Sequence, residues 1–295
     1  MDGSKFTLPA SAELRAEFDP NSGNHSNWKG HYPLALVMTI TDVLRQIPIA
    51  RKVVPCYSSE RHEIMDLIEM IPKNGVILGD RGFPSYEIFE YLSKNYKGHF
   101  VIRCPAKQSF NGIRHMDKPD ATLTIKGLTL RAIRLESPDG VASILFTNLM
   151  DKKRYSAASI RNLYFKRWQI EGHYRDEKCS MDMARFHSKS VNGIRQELFA
   201  SLIMMTLARI MMHLQTTDVQ RPPQFKHAIS ALAKEAYLLV ANKPAIARRL
   251  FMELLEDIGR VVYYRPKRKR KAYPRASKAA KNKWQEVRRG VARFA

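Results

Sequence analysis

Two runs rich in β-branched residues, 34–44 (LALVMTITDVL) and 47–54 (IPIARKVV), are split by Arg45 and Gln46. That split predicts an antiparallel hairpin. Residues 60–71 repeat apolar positions with helical period and stop before Pro72. The run Val76-Ile77-Leu78 ends in Gly79-Asp80, which predicts a buried strand that delivers an Asp at its C-terminal end. Pro84 suits the first turn of a following helix, and residues 99–103 form another strand. A β-β-α-β-α-β order of this kind folds as a mixed α/β sheet. Beyond Pro105, TLTIKGLTLRAIRLE and VASILFTNL read as short strands, with Ser137-Pro138-Asp139-Gly140 as a turn. Ser156 is placed to cap a helix. Residues 192–214 and 223–258 have the spacing of amphipathic helices.

The helix expected after Ser156 carries Tyr164, Arg167, Glu171 and Lys178 at spacings of three, four and seven. At about 100° per residue these side chains fall within roughly 60° of one another. One helix face would then carry a phenol, a guanidinium, a carboxylate and an ammonium. The carboxylate can hold a metal ion and the other three can grip phosphate. An i,i+4 Arg–Glu pair also occurs on many surface helices. His173 lies off that face and reads as a helix-surface or supporting residue.

Formal net charge is +22 and the sequence pI is about 10.0. A surface of that sign attracts a polyanion, DNA or RNA, ahead of an anionic membrane. The Lys/Arg run from Arg265 to Arg293, set against the single acid Glu286, reads as a phosphate-binding arm in which Trp284 can stack on a base. Cys56, Cys104 and Cys179 form no CxxC, which argues against a disulfide framework or a zinc site. Met1 is followed at once by Asp2 and polar residues, so no secretory signal is expected. The apolar stretch 198–214, interrupted by Arg209, reads as a core helix and not as a membrane span.

The pattern Y-x2-R-x3-E-x6-K resembles the signature of bacterial insertion-sequence DDE transposases of insertion-sequence family four. Gly79-Asp80-Arg81-Gly82-Phe83 is similar to that family's second motif, and Asp2-Gly3-Ser4 to its first. The resemblance implies a ribonuclease-H-like mixed sheet with a β-rich insertion and C-terminal helices. It implies Asp2, Asp80 and Glu171 as catalytic metal ligands for two Mg²⁺, with Mn²⁺ as a substitute. It implies Tyr164, Arg167 and Lys178 as phosphate contacts to the transferred strand, near a base extruded at a hairpin intermediate. Trp168, beside Arg167, joins them as a candidate for the base pocket, with packing on the sheet as its other role. The implied partners are double-stranded DNA, as transposon ends and target, and a second copy in a synaptic homodimer. No membrane is implied, and the setting is the bacterial cytoplasm at the nucleoid.

The corresponding boundaries are 1–104 for the first part of the catalytic core, 105–158 for the β-rich insertion, and 159–216 for the catalytic helix and the rest of the core. C-terminal helices occupy 217–264 and the basic tail 265–295. The family places a strand upstream of its first Asp, between the second and fourth strands, and a DNA-binding segment before that. With Met1 alone ahead of Asp2, the first strand is expected to be mostly missing, Asp2 to be a mobile and poor ligand, and activity to be weak. Two other readings stay open: a truncated derivative that binds DNA and inhibits transposition, and a ribonuclease-H-like nuclease without strand transfer.

Overall fold

The computed structural model describes residues 1–20, 32–105, 116, 118–136, 142–183, 185–215 and 221–263. The turn at Ser137–Gly140 and the basic tail with Trp284 lie outside the described residues.

The predicted hairpin is β2 (Leu34–Asp42) with β3 (Ile47–Pro55), antiparallel, in register from Ala35↔Pro55 to Asp42↔Ile47 with a shift at Ile40/Thr41. Its turn uses Gln46 in the left-handed region, φ 57°, where a non-glycine residue is uncommon. β1 (Asp2–Thr7) pairs antiparallel along its whole length with β2, from Asp2↔Thr39 to Thr7↔Leu34. A six-residue strand therefore forms from Asp2 downstream. It also does not form a central ladder. On its other side the Met1 ammonium donates to the Leu78 carbonyl at 3.2 Å, and β1 and β4 belong to separate sheets.

The second sheet has the order β4-β5-β8-β7-β6. β4 (Val76–Gly79) and β5 (His99–Pro105) are parallel, joined over α3 (Tyr86–Asn95). β6 (Asp120–Ile125), β7 (Leu128–Glu136) and β8 (Ala142–Thr147) form an antiparallel set, and β8 pairs with β5 from Val101↔Thr147 to Pro105↔Ser143. The β-rich stretch thus continues the sheet of β4 and β5. The reason is its alternation: Leu130, Ala132, Ile144 and Phe146 share one core with Phe100 and Ile102, while Ile133 and Leu145 face a second core with Leu78 and Val101. Arg131, fully buried, secures the edge. It is bidentate to Asp120 (2.9 and 2.7 Å) and donates to the Leu149 and Tyr155 carbonyls, just before the helix that starts at Ala157.

α2 (Glu60–Ile68) and α3 cover the first core through Ile64, Leu67, Ile88, Phe89 and Leu92. α1 (Ala12–Phe18) covers the opposite face of β1 and β2, and Phe6, Phe18 and Val37 meet Ile170, Tyr174 and Leu198 there. Three C-terminal helices, α6 (Val191–Gln215), α7 (Phe225–Ala241) and α8 (Pro244–Arg260), pack around Met205, Ala208, Leu232 and Leu254. Pro244 opens α8 at a position where its missing N–H costs nothing. At 25 residues α6 is long and apolar enough to cross a membrane. Core helices pass the same test, and one face of α6 is built into two cores.

Candidate active site

The stretch from Ala157 to Ser180 is not one α-helix. Ser156 caps α4 (Ala157–Phe165) by accepting from the Ser159 amide at 3.1 Å. A 3₁₀ turn (Lys166–Trp168), α5 (Gln169–Arg175) and a π turn (Asp176–Ser180) follow. Across these changes of helix type Tyr164, Arg167 and Glu171 stay neighbours, while Lys178 reaches back to β1.

Tyr164 is 1% exposed and packs with Leu78, Val101, Leu145 and Ile160, and burial raises the pKa of its phenol. The charges of Arg167, Arg103 and Asp80 all act on that phenol. Arg167 is buried too, its guanidinium 5.9 Å from the Tyr164 ring and 5.0 Å from the Trp168 ring. It faces the half-exposed Glu171 at 3.6 Å. Trp168 is 43% exposed, beside Arg167. Lys178 binds the fold itself. Its Nζ donates to Ser4 Oγ (2.7 Å) and the Lys5 carbonyl (2.9 Å), over the Phe6 ring. Burial lowers its pKa.

Asp2 opens β1 and Asp80 directly follows β4. Desolvation is the main cause of the raised Asp2 pKa, and repulsion from Asp80 is the next, so the two carboxylates share one electrostatic site. Asp2 is not a loose terminus. Met1 is buried, and burial pulls its ammonium pKa down to about 6. Tyr174, on α5, donates its hydroxyl to the Asp2 carbonyl at 2.8 Å, with the Val37 carbonyl at 3.2 Å. Two glycines set the spacing. A Cβ on Gly3 would stand 2.7 Å from Met38 Sδ and 2.9 Å from Glu60 Cδ, and one on Gly79 would stand 2.9 Å from Met1 Cε. Asp80 Oδ1 accepts from the Gly82 amide at 2.7 Å, and Arg61 Nε donates to the Gly82 carbonyl at 2.7 Å.

Glu60, the first residue of α2, was not among the residues expected from sequence. Burial raises its pKa, with Asp2 and then Asp80 contributing. Its only sequence signal is a carboxylate following the helix cap Ser59, which is common. Among the described residues no three Asp, Glu, His or Cys side chains come together as a metal cage. Asp2 and Asp80 are the right donor type for a hard divalent cation, and their mutual repulsion is what such an ion relieves. Glu171 is held toward Arg167.

Behind the site, Arg51 on β3 makes a fully buried bidentate pair with Glu177 of the π turn (2.6 and 2.9 Å). Ser201 Oγ donates to Glu177 at 3.0 Å, and Arg51 also donates to the Leu198 carbonyl. Arg209 pairs with Asp176 beside it. His173 is buried, not on the helix surface. Burial, then the Arg51 and Arg209 charges, push its pKa down to about 3.

That depressed value gives a sign for acid stability. The unfolded chain takes up the His173 proton near pH 6.5, while the fold resists it down to about 3. Stability from His173 is therefore complete above pH 6.5 and lost as pH falls from there, by about 2 kcal/mol at pH 5. Urea melts at pH 5 and pH 8 should show a smaller gap for His173→Phe than for the wild type. An equal gap would show that His173 is not the group responsible.

The chain belongs to the DDE transposase family: the family profile "Transposase DDE domain" matches residues 2–207. Transposase InsG for insertion sequence element IS4, from Escherichia coli (strain K12), is 24% identical over 299 residues, covering 94% of this chain and 66% of InsG. The transposase-named y4zB of Sinorhizobium fredii (strain NBRC 101917 / NGR234) is 37% identical over 98 residues, 33% of this chain and 26% of y4zB. A cryo-EM structure of the piggyBac transposase synaptic complex with hairpin DNA aligns at 10% identity with a TM-score of 0.46. That alignment covers 88% of this chain and 52% of that one. The chain thus spans about two thirds of InsG, a quarter of y4zB and half of the piggyBac chain.

Proposed function

We propose that this chain cuts DNA at the ends of an insertion sequence and joins the freed 3′-hydroxyl to target DNA, as a homodimer with one end per copy. The observation that carries the reading is the pairing of Asp2 and Asp80 at adjoining strand ends, inside a chain of DDE transposase membership. Asp2, Asp80 and, once it leaves Arg167, Glu171 would hold the divalent ions that DDE transposases generally use, two Mg²⁺ or Mn²⁺ in this reading. When bound, such ions acidify an attacking water or 3′-hydroxyl and stabilise the departing oxygen.

The chain's own groups supply orientation. Arg167 exchanges Glu171 for a phosphate oxygen, a bidentate use that Lys cannot copy. Trp168 stacks on an unpaired base beside the scissile link. Lys178 and Tyr174 fix β1, and so Asp2, against the helix. Glu60 adds negative charge to the pocket and strengthens its demand for a cation.

Incubation with end-bearing DNA, target plasmid and Mg²⁺ tests this. Joined products support it, and nicking without joining leaves a nuclease. A second reading, a DNA-binding derivative that inhibits transposition, is favoured by one observation: Glu171 rests on Arg167, and among the described residues no three-ligand metal cage forms. Binding without cutting would select it.

The basic tail has its own test. Removing residues 265–295 should weaken DNA binding regardless of sequence. It should also reduce the slope of log K against log salt by about 0.9 for each phosphate that the tail neutralises. An unchanged slope would leave the tail without a role in binding.

A further inference from the structure

The outer face of α6 carries Phe199, Ile203, Leu207, Ile210 and Leu214, each between 41% and 62% exposed. Their spacing of four, four, three and four is that of an apolar seam between two helices. The seam runs about 22 Å at 1.5 Å per residue. Between Leu198 and Leu214 the only charged residue is Arg209, which is buried and paired with Asp176. Arg195, at the near end, pairs with Glu17. The opposite face of α6 is fixed in two cores by Ile194, Leu198, Met205 and Ala208. The stripe therefore cannot turn inward.

We propose that this stripe is the contact surface of the homodimer, with α6 of a second copy as its occupant. This deepens the dimer named above and rests on that part of the reading, not on the chemistry. Self-complementarity carries the argument. The stripe is nearly palindromic about a point between Thr206 and Leu207. An antiparallel pair of α6 helices on a two-fold axis sets Phe199 against Leu214, Ile203 against Ile210, and Leu207 against its own copy. A two-fold contact requires that kind of self-match.

Charge agrees. A chain of net charge +22 is repelled by its own copy, and this strip has no charge to bury. The β2–β3 turn, with exposed Leu44, abuts the Leu214 end through His213 Nε2 and the Arg45 carbonyl at 2.7 Å. It widens the contact toward the roughly 800 Å² per partner that a standard interface buries.

Sedimentation velocity of the full chain without DNA, from 1 to 100 μM in high salt, is the test. The expected result is a concentration-dependent dimer. Ile203→Asp with Ile210→Asp should weaken it by about 100-fold, the loss of two central anchors, with the far-UV circular dichroism spectrum of the folded chain unchanged. A wild type that is monomeric throughout, or a dimer that survives the double change, overturns the proposal.

Should the Asp variant misfold, cysteine pairing decides independently. In a Cys179→Ser background, oxidised Leu207→Cys should give a disulfide-linked dimer and Met252→Cys, exposed on α8, should not. The reverse pattern overturns the assignment. Coverage of the stripe by the chain's own residues 264–295, or by lipid, would appear as a DNA-free monomer without the Leu207 link. Because no DNA is present, failure here leaves the cleavage assay untouched, and failure of cleavage leaves this measurement untouched.

Discussion

Glu171→Gln is expected to cut Mg²⁺-dependent cleavage of end-bearing DNA by about 10³-fold or more while leaving DNA binding nearly unchanged. The amide keeps the shape of the side chain and removes the charge that holds a divalent ion. Without that ligand, several kcal/mol of transition-state stabilisation disappear, and each 1.36 kcal/mol is tenfold in rate. Glu171 is half exposed, and its described contact is the 3.6 Å approach to Arg167, so the change should not disturb the fold. The readout is a cleavage time course in Mg²⁺ or Mn²⁺ beside a binding isotherm. Equal cleavage rates for variant and wild type would remove Glu171 from the ligand set.

Breaking the Arg51–Glu177 pair should have the largest effect on stability. Both side chains are fully buried and bonded through two oxygens. Glu177→Ala leaves a guanidinium in the interior without its counter-charge, which costs about 3–5 kcal/mol. That is a large fraction of a typical domain's stability. The double change Arg51→Met with Glu177→Met removes both charges and should recover much of the loss. Urea denaturation of the two variants checks this. If the single change costs less than about 1 kcal/mol, the pair is not the anchor of the π turn.

Much of the framework was legible from the chain alone. The split at Arg45–Gln46 marked the hairpin, and Val76–Gly79 became the strand that ends at Asp80. Ser156 capped the helix it was expected to cap. These features rest on neighbours in sequence, where turn chemistry and period 2 or 3.6 are strong. What escaped depends on distant partners.

The changes of helix type were not legible because 100° steps assume one helix, and the 3₁₀ and π turns are set by contacts made elsewhere, such as Arg51 with Glu177, 126 positions apart. The enclosure of the Tyr164 ring was not legible, because it depends on the sheet packed against it. Glu60 stayed hidden because its relation to Asp2 and Asp80 exists only once α2 lies across Gly3. Which edge the β-rich stretch joins was not legible, because strand signals are local and sheet order is not.

The separation of β1 and β4 into two sheets has a mechanical consequence. Asp2 belongs to one sheet and Asp80 follows the other, and the Met1 ammonium to the Leu78 carbonyl spans the join. Such a boundary resists shear less than a continuous ladder of backbone bonds does. A cation shared by Asp2 and Asp80 would act as a rivet across it. Amide protons of Leu78 and Gly79 would then exchange with solvent more slowly in millimolar Mg²⁺, while those of the β7–β8 ladder would keep their pace.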